Sequence, residues 1–330
     1  MSYLATYLRR LDPVLLDPTV IEVAINADGA VWTETAGATH MTPAPVPALS
    51  RVEVRNLAAQ IANSTANRFT ETSPIVSAAV AHGGIMLRAQ IVGPPAAAGG
   101  TIIAFRLFRE AARITTPKSF AFLRNPGTSL ELERQALIQD LQGEDHAVDV
   151  DTFLKRLIDH RMNVIVSGGT STGKTELGRR MLELVGPEER LVTIEDSVEL
   201  LPSQRNVVSL LSSREEGSER SANHLLQAAL RLRPDRIILG ELRGLEAATF
   251  LDAINTGHSG SFTTIHAQTA RKALDRLALL VMANGSRLAF GEVIRYLETC
   301  IDVIIQMGRD GERRGIVEVW WPGVGGSSVL

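Results

Sequence analysis

The residues with the clearest chemistry are Gly168, Gly169, Thr170, Ser171, Thr172, Gly173, Lys174 and Thr175. They spell a complete G-x-x-x-x-G-K-[ST] phosphate loop. Its glycines let the chain curl so that successive backbone N–H groups point into one concavity. The N-terminus of a following helix adds positive potential there. Lys174 is placed to reach β- and γ-phosphates as a compact point charge, and the Thr175 hydroxyl to sit on Mg²⁺. The expected ligand is therefore a nucleoside triphosphate. Guanine is disfavoured, because the chain contains no Asn-Lys-x-Asp.

Three further clusters follow. Glu195 and Asp196 close an apolar run over 190–194. Ligands of open α/β sheets bind outside the carboxyl ends of strands, so both carboxylates are expected near the phosphates, with Glu195 beside Thr175 as a candidate Mg²⁺ ligand. Taken alone the pair also fits a helix cap or a solvated turn, and Glu199 fits either the site or the surface. Glu241 ends a second apolar run, Ile237-Ile238-Leu239-Gly240, and is the best candidate to orient and polarise an attacking water. Arg243 follows it closely. Before this run, Arg231 and Arg233 read either as ion-pair partners or as charge stabilisers from a neighbouring subunit. His258 and His266 have no cysteine partners and no close helical spacing, so they are poor metal ligands. Each alone fits a buried, hydrogen-bonded imidazole. Near a triphosphate they can read out the γ-phosphate and couple its loss to motion.

These residues need strands and helices to hold them. An apolar run over 163–167 precedes the phosphate loop and helical spacing follows it over 176–182. Apolar strands over 190–194, 236–239 and 261–265 alternate with helices, which implies a parallel sheet covered on both faces. A hairpin is expected where 303–307 and 315–320 flank Gly308-Arg309-Asp310-Gly311. Phe153, Leu154, Leu157 and Ile158 give one face of a helix leading into the phosphate-loop strand. The first 110 residues read as a mixed α+β unit. A short helix is expected over 4–16, and strands over 20–25 and 30–33 flank the hairpin signal Asn26-Ala27-Asp28-Gly29. Ser50 with Glu53 should cap a helix, and further strands are expected over 85–92 and 101–107. The boundaries expected are 1–112 for this smaller domain, 113–150 for a linker with weak helical segments, and 151–330 for the nucleotide-binding domain.

The 330 residues carry a net charge of −3, 45% hydrophobic and 22% charged side chains, and a single cysteine. Two folded domains fit that length. The charge gives no general attraction to nucleic acid or anionic lipid. Cys300, in an apolar setting, reads as a buried small hydrophobe. There is no signal-peptide profile at the start and no apolar run of about 18 residues that would span a membrane. A cytoplasmic location is expected.

The ordered series of boxes adds a resemblance. Gly168 to Thr175, then Glu195-Asp196 with Glu199, then Arg231-x-Arg233-Pro234-Asp235 through Gly240-Glu241-x-Arg243, then Thr256-Gly257-His258-x-Gly260 and Thr264-Ile265-His266-Ala267 resemble the Walker A, aspartate, Walker B and histidine boxes of the secretion ATPases. That family comprises hexameric motors of type IV secretion and conjugative transfer, type II secretion and type IV pili. With a short N-terminal part and no tetracysteine insert, the chain looks most like the type IV secretion and conjugation branch. The resemblance implies an α/β RecA-like P-loop NTPase domain with a mainly parallel sheet, preceded by a smaller α+β N-terminal domain. It implies ATP and Mg²⁺, a homo-hexamer, and partners among inner-membrane components and other ATPases of a secretion apparatus. Through those partners it implies peripheral attachment at the cytoplasmic face of the inner membrane, with no direct nucleic-acid binding. N-terminal-domain arginines of that branch lean over the triphosphate, and Arg88 and Arg106 match them. The chain departs from the family pattern at the turn before Arg88, at Leu107 where a basic residue is usual, and at Glu176 after the phosphate-loop threonine. The other readings are a RecA-like nucleic-acid motor and a scaffold that binds ATP without significant turnover.

Overall fold

The architecture is that of a computed structural model covering residues 3–109, 121–125, 127–144, 148–215, 217–285, 287–324 and 326–329. The expected boundary at 112, and linker residues 113–120, 126 and 145–147, lie outside the described residues. In chain order the helices are α1 (Tyr3–Leu8), α2 (Asp12–Leu15), α3 (Arg51–Ser64), α4 (Leu130–Glu144), α5 (Val150–Asp159), α6 (Lys174–Leu184), α7 (Ala222–Ala229), α8 (Glu246–Asn255), α9 (Ala270–Ala283) and α10 (Phe290–Cys300). The strands are β1 (Val20–Ile25), β2 (Val31–Thr35), β3 (Thr42–Pro43), β4 (Ile75–His82), β5 (Ile85–Val92), β6 (Ile102–Phe108), β7 (Val164–Gly168), β8 (Leu191–Glu195), β9 (Val207–Leu211), β10 (Arg236–Leu239), β11 (Phe262–Ile265), β12 (Val303–Asp310), β13 (Arg313–Trp321) and β14 (Gly326–Val329). By compactness the chain groups into two units, Met1–Glu110 with Gly186–Gly240, and Ala111–Val185 with Glu241–Leu330.

In the first unit, the turn at Asn26-Ala27-Asp28-Gly29 closes the expected β1–β2 hairpin. Gly29 lies at φ +83°, and a Cβ there would fall 1.7 Å from the Leu49 carbonyl oxygen, so only glycine fits. Six strands form an antiparallel sheet in the order β3-β2-β1-β6-β5-β4. One face buries Ile25, Leu87, Ile91 and Phe105 against Leu11, Leu15, Leu57 and Ile61. Each such side chain contributes about 1.5–3 kcal/mol of burial. Ser50 and Glu53 cap α3 reciprocally, as expected. The helix expected over 4–16 is interrupted by a 3₁₀ turn at Arg9–Leu11. Pro13 explains this, since it lacks an N–H and favours the first turn of a new helix.

Residues 186–240 of this unit supply three parallel strands in the order β10-β8-β9. They join the N-terminal sheet region through Ala98 N–H to the Ser209 carbonyl (2.9 Å) and Leu211 N–H to the Ala96 carbonyl (2.8 Å). Arg190, fully buried, donates from Nη1 to the Asn26 Oδ1 (2.7 Å) and from Nε to the Leu232 carbonyl (2.8 Å). Arg233 bridges Glu34 and Asp235, which decides its role in favour of the ion-pair reading. Arg236 holds Glu189 bidentately at 2.8 and 2.9 Å.

In the second unit, strands run in the order β14-β13-β12-β7-β11. β11, β7 and β12 are parallel, and β13 and β14 are antiparallel additions. The β12–β13 hairpin is the one expected, although its strands extend further and the turn centres on Gly311, at φ +60°. Asp149 caps α5, whose apolar face buries Phe153, Leu154, Leu157 and Ile158. Arg134 of α4 reaches both oxygens of Asp302, at 3.0 and 2.6 Å, and Asp302 also accepts the Asn163 N–H (2.7 Å). The described part of the expected polar connection thus holds a 15-residue helix tied to the strand that carries the phosphate loop. The whole is an α/β fold, and no described helix is long and apolar enough to cross a membrane.

Candidate active site

All five residues of β7 are buried, as a strand covered on both faces requires. At its end the chain turns through Ser171 at φ +59° and Gly173 at φ +97° into α6. A Cβ on Gly168 would lie 2.5 Å from the Thr172 Oγ1 and 2.8 Å from the Met307 carbonyl oxygen. The loop can close this tightly only with glycine there. Thr172 Oγ1 donates to the Gly169 carbonyl at 3.0 Å and braces the bend. Lys174 Nζ is folded over the loop, donating to the carbonyls of Gly168 (3.0 Å) and Gly169 (2.7 Å). Burial pushes its ammonium below the ordinary lysine range, and nearby Glu241 opposes that shift. Thr175 stands half-buried in the first turn of α6, and Gly169 and Thr170 are exposed at the mouth of the loop.

Strand register brings the next groups to the lysine. Ser167 of β7 lies opposite Ile265 of β11, so His266 emerges beside the start of the phosphate loop. Leu242 N–H bonds the Thr264 carbonyl at 2.9 Å, which lays Glu241 and Arg243 alongside the same strand. The result is a row of side chains. Lys174 Nζ is 3.4 Å from His266 Nδ1, His266 Nε2 is 3.6 Å from Glu241 Oε1, and Glu241 Oε2 is held by Arg243. Burial, and then the charge of Lys174, lowers the His266 pKa, while Glu241 opposes the shift. A neutral imidazole facing an ammonium at Nδ1 must present its lone pair there, so its proton belongs on Nε2, toward Glu241. Glu241 is thereby gripped from two sides.

Two supporting residues escaped the sequence reading. Glu246 Oε1 accepts the N–H groups of Arg243 (2.6 Å) and Gly244 (2.8 Å), fixing the turn after Glu241. An acid in the first turn of a helix was the available signal. Gln306, buried on β12, donates to the Ala267 carbonyl at 3.2 Å and so steadies the chain just past His266. No local pattern marks it. His258 sits in the turn between α8 and β11, its N–H on the Ala253 carbonyl (3.2 Å) and its carbonyl accepting from Ser261 Oγ (2.6 Å).

The other candidates belong to the first unit. Glu195, 7% exposed at the end of β8, accepts the N–H groups of Glu199 and Leu200, both at 3.0 Å. Burial raises its pKa, and those two hydrogen bonds oppose the rise. It therefore shapes the turn after the strand, the cap-like task that its position alone also allowed. A Cβ on Gly240 would come within 3.4 Å of Glu195 Cγ, so glycine there leaves that carboxylate its space. Asp196 accepts from Ser212 Oγ (2.8 Å) and from Arg214, and Glu199 accepts from Ser197 Oγ (3.3 Å). Arg88 and Arg106 stand directly opposite each other on β5 and β6, in a row with Glu22 of β1.

Comparison with known proteins places the chain in a family. The family model for type II/IV secretion system proteins matches residues 132–310. The type IV secretion system protein VirB11 of Bartonella henselae is 32% identical over 344 residues, spanning 96% of this chain and 93% of that one. The conjugal transfer protein TrbB of Rhizobium radiobacter is 34% identical over 307 residues, spanning 92% and 84%. Among solved structures, the VirB11 ATPase from the Brucella suis type IV secretion system, in complex with sulphate, matches with a TM-score of 0.79 at 30% identity over 97% of this chain and 98% of that one. The chain belongs to the type II/IV secretion system protein family and is a secretion ATPase.

Proposed function

We propose that the chain works as a hexamer that binds ATP with Mg²⁺ at the phosphate loop and hydrolyses it to power or gate substrate transfer and pilus assembly in a type IV secretion or conjugation system. The observation that carries this reading is the row Lys174–His266–Glu241 at the mouth of a glycine-built loop. The residues fit the absent nucleotide. Gly168 and Gly173 leave the backbone bare, and Lys174 Nζ rests on two carbonyls, where a phosphate oxygen is the stronger acceptor. Thr175 is the Mg²⁺ ligand, with Glu195 the second candidate, and the ion supplies neutralisation of the phosphate charge when bound. Glu241, held by Arg243 and His266, orients the attacking water. His266 and His258 report the state of the terminal phosphate. Asp196 and Glu199 flank Glu195, and Arg88 and Arg106 grip phosphate oxygens with forked donors.

In this reading residues 151–330 are a RecA-like ATPase domain, 1–112 an N-terminal α+β domain and 113–150 their linker. The ring sits in the cytoplasm, at the inner face of the inner membrane, held there by membrane components and other ATPases of the apparatus. It does not itself bind nucleic acid. The test compares two variants by phosphate release and by nucleotide binding. Lys174→Ala should lose hydrolysis and most nucleotide binding. Glu241→Gln should keep binding and slow hydrolysis by roughly 10²-fold or more. Near-normal turnover by Lys174→Ala, or parallel loss of binding and turnover by Glu241→Gln, would refute the assignment.

A further inference from the structure

The open face of the six-stranded sheet breaks a rule of strand pairing. Arg88 and Arg106 are direct cross-strand partners, and like charges placed so are destabilising. No carboxylate offsets Arg88 among the described residues. Among those residues Arg106 has only Glu22, at 3.9 Å, the outer limit of an ion pair. What holds both guanidinium groups is an aromatic ring. Arg88 lies 4.6 Å and Arg106 5.7 Å from the centroid of Phe108, within cation–π range. The ring keeps the two forks raised from the sheet without consuming their hydrogen-bond donors.

Beside them the sheet is cut down to small side chains. Ala79 is the next residue of the arginine row, and Ser77 and Gln90 face each other two positions along. The space left is a cavity of about 480 Å³. Its far wall comes from the residues just after α7, where Arg231 enters. Among the described residues the Arg231 side chain makes one hydrogen bond, at 3.4 Å to the carbonyl of Gln227 near the end of α7, a length at which little is gained. Arg233, also in the wall, is already bound by Glu34 and Asp235. At the inner end Gln90, 2% exposed, points Nε2 at two carbonyls that are both 3.4 Å away. Three arginines with spare donors thus face one cavity that holds one carboxylate.

We infer that Arg231 completes, with Arg88 and Arg106, a polyphosphate-binding site on this sheet face, able to hold an anion without help from the phosphate loop. The site rests on the reading above that Arg88 and Arg106 grip phosphate, and adds to it a third ligand and an independent affinity. Three forked donors around one polyanion suit adjacent phosphoryl groups better than a lone carboxylate, because each fork takes two oxygens.

The test uses the full chain carrying Lys174→Ala, which disables the phosphate loop, and titrates inorganic tripolyphosphate calorimetrically. The Lys174→Ala protein should bind it. Adding Arg231→Gln should weaken binding by roughly tenfold or more, the scale of one lost charge-assisted contact. Adding Arg55→Gln, an exposed arginine of α3, should change nothing. Should Arg231→Gln lower the melting temperature, Arg231→Lys carries the test, since it keeps the charge but not the fork and should bind with intermediate affinity. No binding by Lys174→Ala, or equal binding with and without Arg231, overturns the inference. Failure of the earlier reading looks different. Arg88→Gln would then lose tripolyphosphate binding while hydrolysing ATP at the normal rate.

Discussion

Glu22 is the one carboxylate lining the arginine cavity among the described residues, and Glu22→Gln isolates what it costs. The side chain is one-fifth exposed on β1. Its pKa is pushed from 4.5 up to about 7, chiefly by burial, then by Glu34, while Arg106, Arg233 and Arg190 hold it down. A raised folded-state pKa means that the folded chain keeps a proton which the unfolded chain has released. Below pH 4.5 both states are protonated and folding carries no penalty from this group. Between 4.5 and about 7 stability falls as pH rises, and above that window the full cost stands. At 1.36 kcal/mol per pKa unit the cost is on the order of 3 kcal/mol. Glutamine has the same shape and no charge, so the variant should match wild type at pH 4.5 and exceed it by up to about 3 kcal/mol at pH 8. Urea denaturation of both proteins at pH 4.5, 6 and 8 reads this directly. A stability difference that stays constant across that range, or that favours wild type at pH 8, would refute the placement of a strained carboxylate in the arginine row.

Two other outcomes follow from the geometry around Lys174. His266 has a lowered pKa, so acidification below the ordinary value of 6.5 places a second cation beside the Lys174 ammonium. ATP turnover should therefore fall on the acid side, and His266→Gln should flatten that limb of the pH–rate profile, whatever it does to the maximal rate. A limb identical in both proteins removes His266 as its source. In Gly168→Ala the new Cβ would meet the Thr172 hydroxyl and the Met307 carbonyl at 2.5 and 2.8 Å. The loop must open to relieve this. Nucleotide affinity should drop by roughly tenfold or more, about 1.4 kcal/mol, with little change in thermal midpoint, and calorimetry beside a melting curve checks both.

What was legible in the sequence was what the chain writes locally. The phosphate loop is contiguous, so its glycines, lysine and threonine announce themselves, and so do Ser50 with Glu53 and the Asn26 to Gly29 turn. Glu241 and His266 were legible because apolar runs end at them. Strand β4 was not, since Ile75-Val76-Ser77-Ala78-Ala79-Val80-Ala81-His82 is alanine-rich and becomes a strand by pairing with β5. β9 likewise takes its place from β8. Arg233 could be read two ways because its partner Glu34 is 199 residues away. Phe108 gave no signal at all, because an aromatic residue at the end of a strand is ordinary until two guanidinium groups are seen over it.

Register, more than any single residue, assembles both clusters. In the second unit, β7 aligns Gly168 with Met307 of β12 and Ser167 with Ile265 of β11. The loop therefore packs on the Met307 carbonyl while His266 arrives at Lys174. In the first unit, β1, β6 and β5 align Glu22, Arg106 and Arg88 in one row. A slip of one residue in the first-unit sheet would turn these side chains to the opposite face, burying arginines in a core of Leu57, Ile61 and Phe105. The cost of burying unpaired charge makes such a slip far worse than losing a contact. The apolar face that stabilises each sheet is thus the same feature that fixes its polar row, and a core substitution that loosens register should impair the chemistry before it unfolds the chain.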